Sequence, residues 1–287
     1  MTIHPAKQID LWPLHQSSTM GEQLLAGSTL LELQERCAGG VEDAHMLENA
    51  WVSQEDWQLL AKAESPAVLV TANGDVLAWT GEDPGDDSST QLTASEQSLL
   101  IRYPWDYIAV NEQLVSQLTE QTNQGDISPA AHIDGVVQLG EGSRILPGVV
   151  IEGNVSIGQD CKIGPNCYLR GSTTIGNHCH IGQAVEIKNS IIGHNTSIGH
   201  LSYVGDSVIG NDVNFGAGTI TSNLRHDGTN HLSRVRDGLV DTGRRKLGTI
   251  VGDGTHTGIL TAIYPGRKLG PHSQTLPNET VQKDITT

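Results

Sequence analysis

Side chains able to do chemistry concentrate in the middle and later parts of the chain. His178, His180, His194 and His200 lie close together. Imidazole titrates near neutral pH, so each is a candidate base, and several converging could hold a metal. Cys161, Cys167 and Cys179 follow one another at intervals of six and twelve residues. Convergent thiolates suit zinc, and a reactive thiolate could carry an acyl group. Arg244, Arg245 and Lys246 are three cations in a row in a chain with only 17 Lys+Arg, an arrangement suited to phosphate. Spacing alone marks out none of the 12 histidines. Which of these groups can meet depends on the backbone that presents them.

That backbone declares itself by a period of six. Ile127, Ile133, Leu139, Ile145, Ile151, Ile157, Ile163, Leu169, Ile175, Ile181 and Ile187 fall at steps of six. Neither a helix nor a simple strand has this period; a solenoid with one apolar side chain per flat face does. Three such faces make an 18-residue triangular coil. The fifth position of each hexad is small or β-branched, as in Ala131, Val137, Ser143, Val149, Val155, Thr173 and Val185. Cys161, Cys167 and Cys179 occupy this inward slot, so they read as buried neutral thiols acting as small hydrophobes, against both zinc and a covalent acetyl-cysteine. Recurrent Gly and Asn suit corners that need positive φ. The pattern slips by one at 187→192 and 204→209, breaks between about 221 and 246, and resumes at Val251, Thr257, Ile263 and Leu269. Coils stack about 4.8 Å apart, so six to seven of them predict a prism about 30 Å tall.

Residues 1–125 read as a small mixed α/β domain and 126–287 as the solenoid with its tail. In the first region, Pro66–Trp79 predicts a hairpin turning at Asn73-Gly74, and Thr93-Ala-Ser-Glu96 a capping box opening a helix. A second helix is expected after Pro104, and Gly125 to Pro129 reads as a linker. The ends of the solenoid need covering against edge pairing, by the N-terminal region and by residues 271–287. A net charge of −16 argues against nucleic acid and anionic membrane as partners. No run of 18 apolar residues and no signal-like segment occurs, so the expected location is cytoplasmic. Four cysteines agree with a reducing compartment.

Four stretches carry a resemblance: LRGS (Leu169–Ser172), VEIKNS (Val185–Ser190), GHLSYVGD (Gly199–Asp206) and NFGAGTITSN (Asn214–Asn223). They resemble the acetyltransferase half of bifunctional N-acetylglucosamine-1-phosphate uridyltransferases. VDTGRRKLGTIVGDGTHTG (Val240–Gly258), YPGRKLG (Tyr264–Gly270) and RYPWDYIAVNEQLV (Arg102–Val115) are closer to the archaeal-type sugar-1-phosphate nucleotidylyltransferase/acetyltransferases. The resemblance covers about 102–275. It implies a mainly β fold, a left-handed parallel β-helix, here with the small N-terminal α/β domain. It further implies a homotrimer that moves acetyl from acetyl-CoA to an amino-sugar 1-phosphate such as glucosamine 1-phosphate, a sugar-nucleotide precursor. The Gly-rich phosphate loop that opens the family's nucleotidyltransferase domain is missing; LLAGSTLLEL (Leu24–Leu33) is a poor substitute. The N-terminal region therefore reads as a reduced remnant without nucleotidyl transfer.

Residue by residue, the resemblance implies that His200 is the base that deprotonates the attacking amine, with Glu186 assisting. Arg170, Lys188 and Tyr203 match sugar-phosphate ligands; a phosphate monoester is close to doubly charged, which suits two cations. Asn214 and Asn223 match acceptor-side amides. Ala217 and the backbone at Gly216 and Gly258 match the approach of acetyl-CoA. Arg244, Arg245 and Lys246 are expected to contact phosphates of the sugar or of CoA. No metal is expected; a hexapeptide-repeat carbonic anhydrase needs histidine spacings that are not found here. Leu224 stands where the bacterial family has Tyr, and a downstream Lys is replaced near His231. These departures leave two rivals: a non-catalytic scaffold or regulatory paralogue, and a sugar-1-phosphate nucleotidyltransferase.

Overall fold

A computed structural model describes residues 1–6, 9–15 and 18–286. The chain forms two compact units: Met1–Asp10, Ser18–Gln23 and Ser28–Tyr103 in one, and Leu11–Ser17, Leu24–Gly27 and Pro104–Thr287 in the other. The division thus falls near residue 103, whereas the sequence reading put it at 125. The cause is helix α3 (Asp106–Ser116), which is bonded to the coils. Asn111 of α3 accepts a hydrogen bond from Thr174 Oγ1 at 2.7 Å and donates to Ser172 O at 2.7 Å. Asn154 Nδ2 donates to Val115 O, Ser116 O and Leu118 O, satisfying carbonyls that the end of a helix leaves open.

The first unit holds a five-stranded sheet in the order Thr2–His4, Ala44–Leu47, Val76–Thr80, Ala67–Val70, Thr90–Thr93. The two helices earlier in the chain are α1 (Leu30–Cys37), capped by Thr29 with Glu32, and α2 (Gln54–Lys62), capped by Ser53. The hairpin expected around Asn73-Gly74 exists, but its turn is wider than two residues. Thr71 N bonds Asp75 O, and only Gly74 takes positive φ (+84°). The capping box at Thr93–Glu96 starts no helix. Ser95 and Ser98 instead bond the Asp56 carboxylate, Ser98 Oγ at 2.5 Å and Ser95 Oγ at 2.7 Å. Burial works against the charged form of Asp56, yet the bonds from Ser98, Ser95 and Ser53 hold its pKa below the usual value.

The second unit is a three-sided parallel β-helix. Its three sheets hold eight, seven and eight strands, beginning at Thr122–Asn123, Asp126–Ile127 and His132–Asp134. That is one coil more than the six to seven expected. Coiling begins at Thr122, ahead of the expected linker, whose Asp126–Ile127 is itself a strand of the second sheet, and Thr280–Val281 of the expected tail forms a strand on Ala262–Ile263. The aliphatic residues of the repeat stack in register. Ile133, Ile151, Leu169, Ile187 and Val204 form one ladder, and Ile145, Ile163, Ile181, Ile198 and Phe215 another. They fill the prism axis, all buried except the partly buried Ile133 at its start. Cys161, Cys167 and Cys179 are free thiols within the same core. Burial pushes the Cys167 thiol up to about 12, so it stays protonated.

The break in the repeat is an antiparallel arm. Leu224 bridges Lys246 at its base, and Leu232–Val235 pairs with Gly238–Asp241. The ladder is unbroken across it, since Ile209 pairs directly with Val251. Among the described residues no helix is long and apolar enough to cross a membrane.

Three histidines of the second unit are partly or fully buried, which favours their neutral form. Burial foremost lowers the pKa of His180, His194 and His231. His194 Nδ1 accepts the N–H of Asn177 at 2.9 Å, which protonation at that nitrogen would abolish. A depressed folded-state pKa gives stability that is present above the unfolded value of about 6.5 and is lost as pH falls below it. The thermal midpoint should therefore drop between pH 7.5 and 5.0, before carboxylates titrate. His194→Gln should flatten part of that drop, and a midpoint constant over this range would contradict the account.

Candidate functional site

Three successive coils and two corners build a polar cluster of the second unit. Strands Tyr168–Arg170, Glu186–Lys188 and Tyr203–Gly205 lie side by side, with Arg170 opposite Lys188 and Glu186 opposite Tyr203. Alternation sends Leu169, Ile187 and Val204 inward and their flanking residues out. The chain then turns at Asn189 and Asp206, both with positive φ (48° and 51°), a conformation that Asn and Asp accept more readily than most residues.

Asp206 is the centre. Its carboxylate is 3 % exposed and takes three donors: Lys188 Nζ at 3.1 Å, Asn189 Nδ2 at 2.9 Å and Asn223 Nδ2 at 2.6 Å. A buried carboxylate is costly unless paired and hydrogen-bonded, and here it is both. Asn223 Nδ2 also donates to Tyr203 OH at 3.0 Å. Burial first, then the charges of Asp206 and Glu186, raise the Tyr203 pKa, keeping the phenol a donor. Arg170 Nη1 pairs with Glu186 Oε1 at 3.2 Å and lies over the Tyr168 ring at 5.5 Å from its centre. On the far side of the corner, Glu112 of α3 accepts from Asn189 Nδ2 at 2.6 Å and from Arg244 Nη2 at 2.5 Å.

Of the residues that the sequence singles out, Arg170, Glu186, Lys188, Tyr203 and Asn223 thus share one surface. Arg244 joins it through Glu112, as an anchor of α3; its guanidinium meets that carboxylate in a fork. Arg245 and Lys246 are exposed beside it. His200 ends the strand Ser197–His200 of the neighbouring sheet, exposed, opposite Gln183. Glu186, expected to orient or contact that histidine or the sugar, bonds Arg170. Asn214 lies on the second sheet between Ser197 and His256, away from the cluster. Gly216 and Ala217, and Gly258 one coil further on, lie in stacked turns from the second sheet to the third, where Gly218 N donates to His200 O at 3.1 Å and Leu260 N to Ala217 O at 2.8 Å. A Cβ on Gly216 would come within 2.6 Å of Gly258 backbone, so stacking itself requires glycine there. The four clustered histidines do not gather at one point: His178 faces Asp160 and His194 bonds Asn177, while His180 and His200 lie at opposite ends of two paired strands of the second sheet. Among the described residues no group of three or more His, Cys, Asp or Glu is placed to hold a metal ion.

Glu112, Asn189 and Asp206 were missed as site residues. Asn189 and Asp206 sit inside the quoted motifs at the two points where the repeat slips by one, a signal that could have found them. Glu112 carries no local signal.

Comparison with known proteins adds kinship. A family model described as the GMPPB C-terminal domain matches residues 127–233 and 151–285. A bifunctional sugar-1-phosphate nucleotidylyltransferase/acetyltransferase of Sulfurisphaera tokodaii is 42% identical over 182 residues, covering 63% of this chain and 45% of that protein. A bifunctional protein GlmU of Methanococcus maripaludis is 47% identical over 185 residues, 64% of this chain and 44% of that one. The chain spans about half the length of the curated relatives it matches. Among solved structures, a UDP-N-acetylglucosamine acyltransferase of Francisella novicida aligns at 16% identity with a TM-score of 0.30, over 57% of this chain and 63% of that one, a superposition too loose to bear on the site.

Replacing Asp206 by Ala would leave Lys188 and Asn223 without their common acceptor. Bonds to a charged group are worth roughly 1.5–3 kcal/mol, so the unfolding free energy read from denaturant titration should fall by that order. Glu112→Gln, which keeps the shape, should cost less. An Asp206→Ala chain as stable as the parent would remove Asp206 from the centre of the cluster.

Proposed function

The chain belongs to the family of the GMPPB C-terminal domain, and we propose that it is an acetyl-CoA-dependent N-acetyltransferase acting on an amino-sugar 1-phosphate. The observation that carries this reading is the gathering of Lys188, Tyr203 and Asn223 around Asp206, with Arg170 opposite Lys188 on the adjacent strand, next to a turn on which the His200 imidazole stands exposed. The cations offer the phosphate its counter-charges, and Tyr203 and Asn223 offer donors and acceptors to sugar hydroxyls. His200 has an imidazole able to take the proton of the attacking amine. The amine nitrogen bonds to the thioester carbonyl carbon and the carbon–sulfur bond breaks. The proton held on His200 then passes to the departing thiolate, releasing free CoA. A backbone N–H in the Gly216–Gly218 turn would meet the developing oxyanion.

Glu186 acts in this scheme through Arg170, orienting the phosphate ligand. Arg244 fixes α3 against the corner, while Arg245 and Lys246 remain exposed for phosphates of either substrate. Asn214 would contribute to a neighbouring subunit's site, because in its own chain it lies away from the cluster. A homotrimer agrees with the apolar side chains left open on the turn beside His200: Leu201, Ile259, Leu260 and Leu276 are 64%, 51%, 56% and 74% exposed.

A thiol-release assay with acetyl-CoA over a panel of amino-sugar phosphates tests the activity. His200→Ala should lower turnover by roughly 10²–10⁴ with an unchanged melting curve. Full activity in that variant would reject the base assignment. Absence of released thiol with every acceptor would favour a non-catalytic scaffold.

A further inference from the structure

A cleft of about 490 Å³ opens at the foot of the third sheet, below the cluster. Its walls are the arm that interrupts the repeat and the next coil: Ser222, Arg225, His226, Tyr264 and Arg267 contribute polar atoms. Its size lies within the usual range of small-molecule sites, about 300–1,000 Å³. It adjoins the cluster, because Ser222 and Leu224 in its wall flank Asn223. Strands Glu186–Lys188, Tyr203–Gly205, Ile220–Thr221 and Ala262–Ile263 are successive neighbours, so the Lys188 and Tyr264 levels are three strand spacings apart, roughly 14 Å.

Charge separates the two places. In the cluster every cation is matched: Arg170 by Glu186, Lys188 by Asp206, Arg244 by Glu112. In the cleft Arg225 is matched by Asp227 at 2.6 Å, but Arg267 has no carboxylate partner among the described residues; its Nε donates to Pro265 O at 3.3 Å. The terminal nitrogens of that guanidinium, together with the half-exposed Tyr264, form an uncompensated positive pocket in a chain of net charge −16. Arginine in this setting suits the planar, bidentate capture of phosphoryl oxygens.

We propose that this cleft is a second phosphoryl-binding subsite, with Arg267 as its principal cation. The inference rests on the acetyltransferase reading for the identity of its occupant, which is the phosphate of the acceptor or a phosphate of CoA. It assigns to the cleft a task that the paired cations of the cluster leave open, that of supplying unmatched positive charge.

Calorimetric titration of the full chain with glucosamine 1-phosphate, CoA and 3′-dephospho-CoA tests it. Arg267→Gln should weaken at least one of these ligands tenfold or more, and Arg267→Lys should weaken it less. Ser222→Glu, a change on the exposed rim that leaves Arg267 in place, should weaken the same ligand. Loss confined to glucosamine 1-phosphate assigns the subsite to the acceptor. Loss for CoA with dephospho-CoA unaffected assigns it to the 3′-phosphate, and loss for both CoA forms to the diphosphate. Affinities within twofold of the parent in both Arg267→Gln and Ser222→Glu overturn the proposal, as does a folded Ser222→Glu chain with parental affinities where Arg267→Gln fails to fold. A parent chain that binds none of the three ligands overturns it too. Binding is read without turnover. A parent that binds but releases no thiol therefore sinks the acetyl-transfer reading alone, and a parent that releases thiol with both variants binding normally sinks the cleft alone.

Discussion

The second unit depends on one constraint: each coil must place its three strands in register on the coil before it. Parallel pairing fixes the axial rise, and the ladder Ile133, Ile151, Leu169, Ile187 and Val204 fixes which side chain points inward. A shift by one residue would turn the core ladder out and the polar ladder in. The outward ladder Glu152, Arg170, Lys188 is therefore as strictly placed as the core beside it. Polar groups separated by 18 residues become neighbours through the same hydrogen bonds that join the coils.

Against that regularity, the exceptions are informative. Two corners between the third sheet and the first are one residue shorter than the others, at 187→192 and 204→209. Asn189 and Asp206 occupy these tight corners with positive φ, and both side chains join the polar cluster. Asn189 bridges Asp206 to Glu112, so the shortened corners also anchor α3. The same irregularity that perturbs the repeat gathers its polar groups.

Periodicity made much of the fold legible. The inward positions, the three faces, the interruption near 221–246 and the buried cysteines all follow from the spacing of Ile, Val and Gly. Of the first coil, only the first strand was missed: Thr122–Asn123 offers no aliphatic residue to register as a repeat, whereas Ile127, five residues on, already opens the run of six. The Thr93–Glu96 helix failed because Thr93, the would-be cap, ends a strand paired with Val70, and the following Ser95 and Ser98 are held by a distant carboxylate, Asp56. In the site, residues within the motifs could be named, but their pairing could not. Whether Glu186 meets His200 or Arg170 depends on which sheet each side chain leaves from, and Glu112 reaches the cluster only through the docking of a helix 77 residues earlier than its partner Asn189.

The arm between Leu224 and Lys246 has a different standing from the coils. It leaves the column and returns to it across one bridge, while Ile209 and Val251 pair as though nothing stood between them. Lengthening such a detour costs little, since closure entropy grows only slowly with loop length. The column can thus tolerate extensive rewriting of this one appendage without any strand losing its neighbour. Variation in what the molecule recognises would accumulate there first, as on an interchangeable tool clamped to a fixed shaft.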